Sequence, residues 1–313
     1  MTGYILRRIL ATVPVVAFVM LFVFSLLYIT PGDPAAILAG DQATQAEIEA
    51  IRTDLGLDRS FPVRFLEWSG GVFRGDFGTS IFTQLPVSTM ILQRVEPTLS
   101  LMIVTMIIAI TVAVPLGVLA AWKHGSLLDR AIMLFAVLGF SVPVFVIGYV
   151  LAWTLALQLG LLPVQGYTPF AEGPWPWLRS LLLPSFTLAT FYIAIIARIT
   201  RATMLETLQQ DYIRTARGKG ASDFAVLFIH ALRNASVPIV TVIGIGITLV
   251  ISGAVVIESV FALPGLGRLI VDSILRRDYP VIQAVILLFS FVYVIINLLI
   301  DLSYTVIDPR IRY

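Results

Sequence analysis

Gly218-Lys219-Gly220 contains the one Gly-Lys pair in the chain. A phosphate-binding loop of the form G-x-x-x-x-G-K-[ST] needs a hydroxyl after that lysine to reach the metal. Glycine follows instead, so no nucleotide site of this type is expected. His124 and His230 fall in separate polar stretches and read as surface residues rather than ligands. Cysteine is absent, which excludes disulfides, Cys-ligated metals and thiol nucleophiles. No G-x-S-x-G, no H-E-x-x-H and no paired carboxylates in a membrane cleft appear, so catalysis is not expected. One ionisable residue, Asp301, stands inside a long apolar run, with Asn297 four residues before it. It reads as a structural hydrogen-bonding group rather than an ion site of a coupled carrier. The remaining concentration of chemistry is basic: Arg198, Arg201, Arg214, Arg217 and Lys219 share one stretch between two apolar runs.

The elements that hold these residues are set by the apolar runs. Of 313 residues 58% are hydrophobic and 13% charged, against about 25% charged in a soluble domain. A bilayer crossing takes about 20 apolar residues in a helix. Six runs qualify: Ile9–Ile29, Leu99–Ala121, Ala131–Leu159, Leu181–Ala197, Val237–Ile257 and Ile282–Ile307. Pro143 is expected to bend the third. The fourth is short, with Pro184 near its start. The first follows Arg7-Arg8 but is longer than a signal-peptide core, so it reads as an uncleaved anchor. With the N-terminus inside, segments 1–8, 122–130, 198–236 and 308–313 hold twelve Lys/Arg and five Asp/Glu in 62 residues. The other connectors, nearly twice as long, hold nine and thirteen. Basic residues favour the cytoplasmic side, so both termini are expected there.

Residues 30–98 form the longest outer segment. Thr44-Gln45-Ala46-Glu47 is a capping box. Ile48, Ile51 and Leu55 follow at helical spacing, and Gly56 is a stop. Pro62 opens a second short helix carrying Val63, Leu66 and Phe73. Gly75-Asp76-Phe77-Gly78-Thr79-Ser80 reads as a tight loop. The segment is acidic, and two readings fit it equally: a docking surface for an outer partner, or a solvated cap packed on the spans.

Residues 198–236 are far longer than a connector needs to be. Met204, Leu205, Leu208, Tyr212 and Ala216 predict one helix with a common face. Gly218-Lys219-Gly220 breaks it, and Ser222 or Asp223 caps a second helix from Phe224 to Asn234. Such a hairpin fits an anionic lipid surface. It also fits a cleft on a soluble partner, because Thr215, Ala216, Gly218, Gly220 and Ala221 allow close backbone approach. Span five carries Gly244, Thr248 and Ser252 at four-residue steps, a stripe read as helix packing. Pro264-Gly265-Leu266-Gly267 reads as a turn or short re-entrant element.

Thr215-Ala216-x-x-x-Gly220 resembles the EAA loop of membrane subunits in ABC importers, where Glu-Ala-Ala is followed three residues later by Gly. Arg214 stands where the general motif has Glu, His230 where it has Ile, and Arg233 where it has Pro. His230-Ala231-Leu232-Arg233-Asn234-Ala235 with Pro238 resembles the dipeptide, oligopeptide and nickel family. So do Gly75-Asp76-Phe77-Gly78, Phe261 to Arg268, Arg277-Asp278-Tyr279-Pro280 and Asp308-Pro309-Arg310-Ile311-Arg312.

The resemblance implies an all-α integral membrane fold with six transmembrane helices and a small outer helical cap. Residues 1–30 would hold the N-terminus and first span, 31–94 the cap, 95–305 the type I transmembrane domain, and 306–313 a cytoplasmic tail. It implies an ATPase-coupling loop made of Thr215, Ala216, Arg217, Gly218, Lys219, Gly220, Ala221, Ser222, Asp223, His230, Arg233 and Asn234. No cofactor is expected on this chain; ATP and Mg would sit on partner ATPase subunits. Further implied partners are a second homologous permease subunit, an extracytoplasmic substrate-binding protein and membrane lipid, with no nucleic acid. The expected setting is a bacterial or archaeal cytoplasmic membrane. The expected function is uptake of di- or oligopeptides by alternating access, with nickel, glutathione or oligosaccharides as other cargoes of the same machinery. A secondary carrier and a non-transport scaffold are the readings from other classes.

Overall fold

The structure, a computed structural model, describes residues 2–29, 34–39, 43–54 and 56–307. The side chains of residues 2–9 and 301–307 lie outside that description, as do those of Ile51 and Leu55. The expectations for Asp301 and for Asp308 to Arg312 fall there. Among the described residues there is no strand, only one isolated bridge between Thr79 and Pro86. Two compact units divide the chain: residues 1–95 with 269–295, and residues 96–268 with 296–313.

In chain order the α-helices are α1 Thr2–Ile29, α2 Pro34–Ala39, α3 Gln45–Asp54, α4 Phe61–Phe73, α5 Val87–Trp122, α6 Leu127–Ser141, α7 Val144–Leu151, α8 Pro174–Leu208, α9 Asp211–Gly218, α10 Leu232–Val260, α11 Leu266–Arg276 and α12 Tyr279–Ile307. Among the described residues five helices are long and apolar enough to cross a membrane, and a sixth crossing results if the bent pair Leu127–Ser141 and Val144–Gln158 is one span. That pair turns by 106° at Val142-Pro143. Proline has no N–H and excludes the helical conformation from the residue before it. Val142 is accordingly extended, at φ −87 and ψ 129.

The first unit contains α1 to α4 and most of α12. The capping box forms as expected: the Thr44 N–H donates to Glu47 Oε2 at 2.8 Å, and the Glu47 N–H donates to Thr44 Oγ1 at 3.4 Å. The Thr44 N–H, together with Thr44 Oγ1 donating to the same Oε2 at 2.8 Å, holds the Glu47 carboxyl below the usual carboxylate range. Gly56, at φ +61, ends α3 with the two bonds Gly56 N–H to Thr53 O and Leu57 N–H to Arg52 O. The inward face of α4 differs from expectation. Phe61 and Phe65 meet Phe24 of α1 edge to face and Trp68 meets it tilted, at ring separations of 5.3 to 5.5 Å, whereas Val63, Leu66 and Phe73 are exposed. The aromatics bury the larger area, so they take the contact. In the Gly75–Ser80 loop, Ser80 Oγ donates to buried Asp278 and the Ile81 N–H donates to its other oxygen at 3.2 Å.

The second unit is organised around α8. Its most apolar window is 78% buried, against 17% for α1. The predicted span Leu181–Ala197 is only its middle, because Arg179, Arg198 and Arg201 interrupt the apolar run without interrupting the helix. Pro184 lies ten residues into the helix rather than at its start. Helices α6, α7 and α10 pack on α8. Close approach needs glycine where α5 meets α8: a Cβ on Gly117 would stand 2.5 Å from that of Thr200. Of the small-residue stripe on α10, Gly244 packs on Ile300 and Thr248 is buried, but Ser252 is exposed.

Candidate functional site

The hairpin expected between spans four and five is present, with three corrections. First, its leading helix is broken at Gln209-Gln210, so α8 ends at Leu208 and α9 restarts at Asp211. The restart turns the face: Ile213 is fully buried and Tyr212 is exposed. Second, the returning limb is continuous with α10 and is π-helical over Ala225–Ala231. Third, Arg198 and Arg201 lie on α8, not on the hairpin. Arg198 stands over the Phe140 ring, and Arg201 binds Asp129.

The turn is a Schellman motif. Gly220 sits at φ +83, its N–H donates to Arg217 O at 2.9 Å, and the Ala221 N–H donates to Ala216 O at 3.1 Å. Half-buried Ala221 follows and packs on the core below. Ser222 rather than Asp223 caps the returning limb, accepting from the Ala225 N–H at 3.3 Å. Gly218 is different. It is helical, and a Cβ there would meet nothing within 4 Å. Nothing in this chain's own packing requires glycine at 218.

Thr215 to Asp223 therefore form one continuous tip. Thr215, Arg217, Gly218, Lys219, Gly220, Ser222 and Asp223 are exposed, with Ala216 and Ala221 half-buried. His230, Arg233 and Asn234 are not on it. They lie further along the returning limb, where Asn234 Nδ2 donates to His230 O at 2.8 Å. Below the tip, Ile213, Val226, Leu227 and Ala231 enter one apolar cluster with Val118 and Ala121 of α5, Met204 of α8, and Ala235 and Ile239 of α10. The hairpin is thus keyed into three spans. Ile213 was missed from sequence because the break at Gln209-Gln210 carries no glycine or proline.

A second feature steadies the same end. Asp129, 3% exposed, accepts from Arg201 Nε at 2.6 Å and Nη2 at 2.8 Å, and from the Gly125 N–H at 3.0 Å. His124 is largely exposed and touches this pair at 3.1 to 3.3 Å. The bidentate pair ties the α5–α6 turn to α8. Asp129→Ala is expected to cost about 3 kcal/mol by leaving the arginine without its partner. A thermal melt of the purified chain checks this.

At the opposite end of α10, Glu258 is fully buried. Its carboxylate accepts from Thr98 Oγ1 at 2.6 Å and the Arg268 N–H at 2.9 Å, and Thr98 Oγ1 accepts from the Leu266 N–H at 2.8 Å. The Pro264–Gly267 turn wraps this group. A Cβ on Gly265 would collide with the carboxylate, and one on Gly267 would stand 2.5 Å from Val255 Cα. Glu258 corrects the expectation that Asp301 alone is ionisable within the apolar segments: α10 runs three residues past the predicted span, to Val260.

A chain of apolar crossing helices with an exposed hairpin keyed into them is an integral membrane subunit, built like the permeases of type I ABC importers. Comparison supports that architecture. The inward-facing MetNI methionine ABC transporter aligns with a TM-score of 0.59 at 17% identity, over 70% of this chain and 96% of that one. An amino acid ABC transporter aligns at 0.51 and 16%, over 69% and 93%. At the level of sequence, the profile described as "Binding-protein-dependent transport system inner membrane component" matches residues 113–313, and its N-terminal companion matches 1–102. The chain belongs to this family. It is 56% identical to a probable peptide ABC transporter permease protein of Sinorhizobium fredii over 99% of both chains. It is 46% identical to a putative peptide transport system permease protein of Brucella abortus over the full length of both. It is 42% identical to the glutathione transport system permease protein GsiC of Pectobacterium atrosepticum, again over both full lengths.

Proposed function

We propose that this chain forms half of a peptide-import pathway and that the Thr215–Asp223 tip docks on an ATPase subunit. ATP and Mg bind on that partner, and its closure pushes the hairpin. Because one chain presents one tip, a second permease subunit completes the pathway, and a binding protein delivers cargo from outside. Both termini lie on the tip's side of the membrane, consistent with the density of basic residues there. Peptides are the cargo class named for relatives at 46% and 56% identity, and glutathione, itself a tripeptide, for one at 42%.

The observation that carries the docking reading is the pairing of an exposed, side-chain-poor tip with a buried root. Gly218 and Gly220 face open space, while Ile213, Val226 and Leu227 are locked among α5, α8 and α10. A hairpin resting on lipid would gain from bulky apolar side chains at its tip. The test is purification of the tagged chain from gently solubilised native membranes. Co-purification of a P-loop ATPase and a second permease subunit is expected. Isolation of the intact chain alone would overturn the reading. Uptake of labelled dipeptide, oligopeptide and glutathione by cells with and without the gene then assigns the cargo.

A further inference from the structure

In the first unit two cavities follow one another along the same three helices. One, of about 260 Å³, has Phe24 of α1, Arg64 and Trp68 of α4, and Tyr279 and Gln283 of α12 in its wall. The other, of about 310 Å³, is lined by Met20, Val72 and Leu287 among other apolar residues, with Ser290 its one polar side chain. On every helix the linings are one turn apart: Phe24 and Met20, Trp68 and Val72, Gln283 and Leu287. The apolar cavity reaches Val16, near the middle of the Leu10–Ile29 crossing, and the polar one lies towards that crossing's end.

The wall of the polar cavity carries one guanidinium, Arg64, and one carboxylate, Glu67. Arg64 donates to the Tyr28 hydroxyl at 2.6 Å and lies over the Phe24 and Tyr28 rings, and it makes no ion pair among the described residues. Glu67, in the same wall, is already bound to Arg59 at 2.9 Å. Tyr279 keeps a buried hydroxyl with no hydrogen-bond partner among the described residues. A ligand that fills both chambers needs an anionic or phosphate-bearing end and a hydrocarbon end. A peptide would leave its backbone groups unsatisfied in the apolar chamber, and free phosphate would leave that chamber empty. We propose that the two cavities form a binding site for one membrane phospholipid, with its phosphate at Arg64 and one acyl chain between α1, α4 and α12.

The test is native mass spectrometry of the full-length chain in detergent, with phosphatidylglycerol added back after delipidation. One lipid per chain is expected, with binding weakened at least tenfold in Arg64→Gln and in Leu287→Trp, which fills the apolar chamber. Excess inorganic phosphate is expected not to displace the lipid. Failure of the wild type to bind, unchanged binding in either folded variant, or displacement by inorganic phosphate would each overturn the proposal. The wild-type arms decide the matter even if a variant does not fold.

Discussion

Gly218→Trp is expected to abolish uptake and ATPase co-purification while leaving the chain at least as stable as the wild type. Position 218 is the last helical residue of α9, exposed, with no atom near a side chain placed there. Replacing a helical glycine removes a cost of up to about 1 kcal/mol. The added indole would occupy the middle of the tip, where a partner has to approach the backbone. Gly220→Trp should block uptake equally, but it forces a side chain onto a backbone at φ +83, at a cost of roughly 1–2 kcal/mol. The pair therefore separates docking from folding. Uptake assays and detergent-phase melting curves on both variants provide the check. Normal uptake by Gly218→Trp would remove the tip from the coupling mechanism.

The largest effect on stability is expected at Glu258. Glu258→Ala removes the buried carboxylate that accepts from the Arg268 N–H and the Thr98 hydroxyl. Two lost hydrogen bonds to a charged group at about 1.5–3 kcal/mol each, with a cavity added, give a loss of roughly 3–5 kcal/mol. Glu258→Gln keeps the shape and one acceptor and should lose less than half as much. Gly265→Ala should approach the alanine variant, because its methyl group and the carboxylate cannot occupy the same space. The ranking of the three melting temperatures is the measurement. A Glu258→Ala variant as stable as the wild type would mean that the carboxylate does not hold the start of α11.

The sequence made the helices legible where apolar runs were long and caps were local. Thr44 with Glu47, Gly56 and Pro143 all act as their residue types require, because each effect is settled within four residues. What it did not show depends on neighbours distant in the chain. Leu66 and Phe65 look alike in a hydropathy pattern, and only the presence of Phe24 decides which faces inward. The arginines that cut span four short are retained in an unbroken helix because Asp129, 72 residues away, neutralises one of them. Of the site, the tip residues were recognisable from glycines and small side chains. Its root was not, since Ile213 is buried by a kink at two glutamines that have no breaker signature. Glu258 was passed over because it sits one residue beyond the predicted edge of its apolar run.

The division of the first unit across the two ends of the chain has a consequence for biogenesis. Ser80 finds Asp278 198 residues later, and Gln283 reaches back 260 residues to the Val23 carbonyl. Ribosomes add about 5–20 residues each second, so the leading helix enters the bilayer roughly 10–50 seconds before the last one exists to hold it. Over that interval, the N-terminal quarter must wait in lipid, with its aromatic α1–α4 contact as the principal long-range restraint available to it. Insertion is therefore first-in, last-secured. A truncation removing α12 should be recognised by membrane quality control through its N-terminal third, far in sequence from the cut.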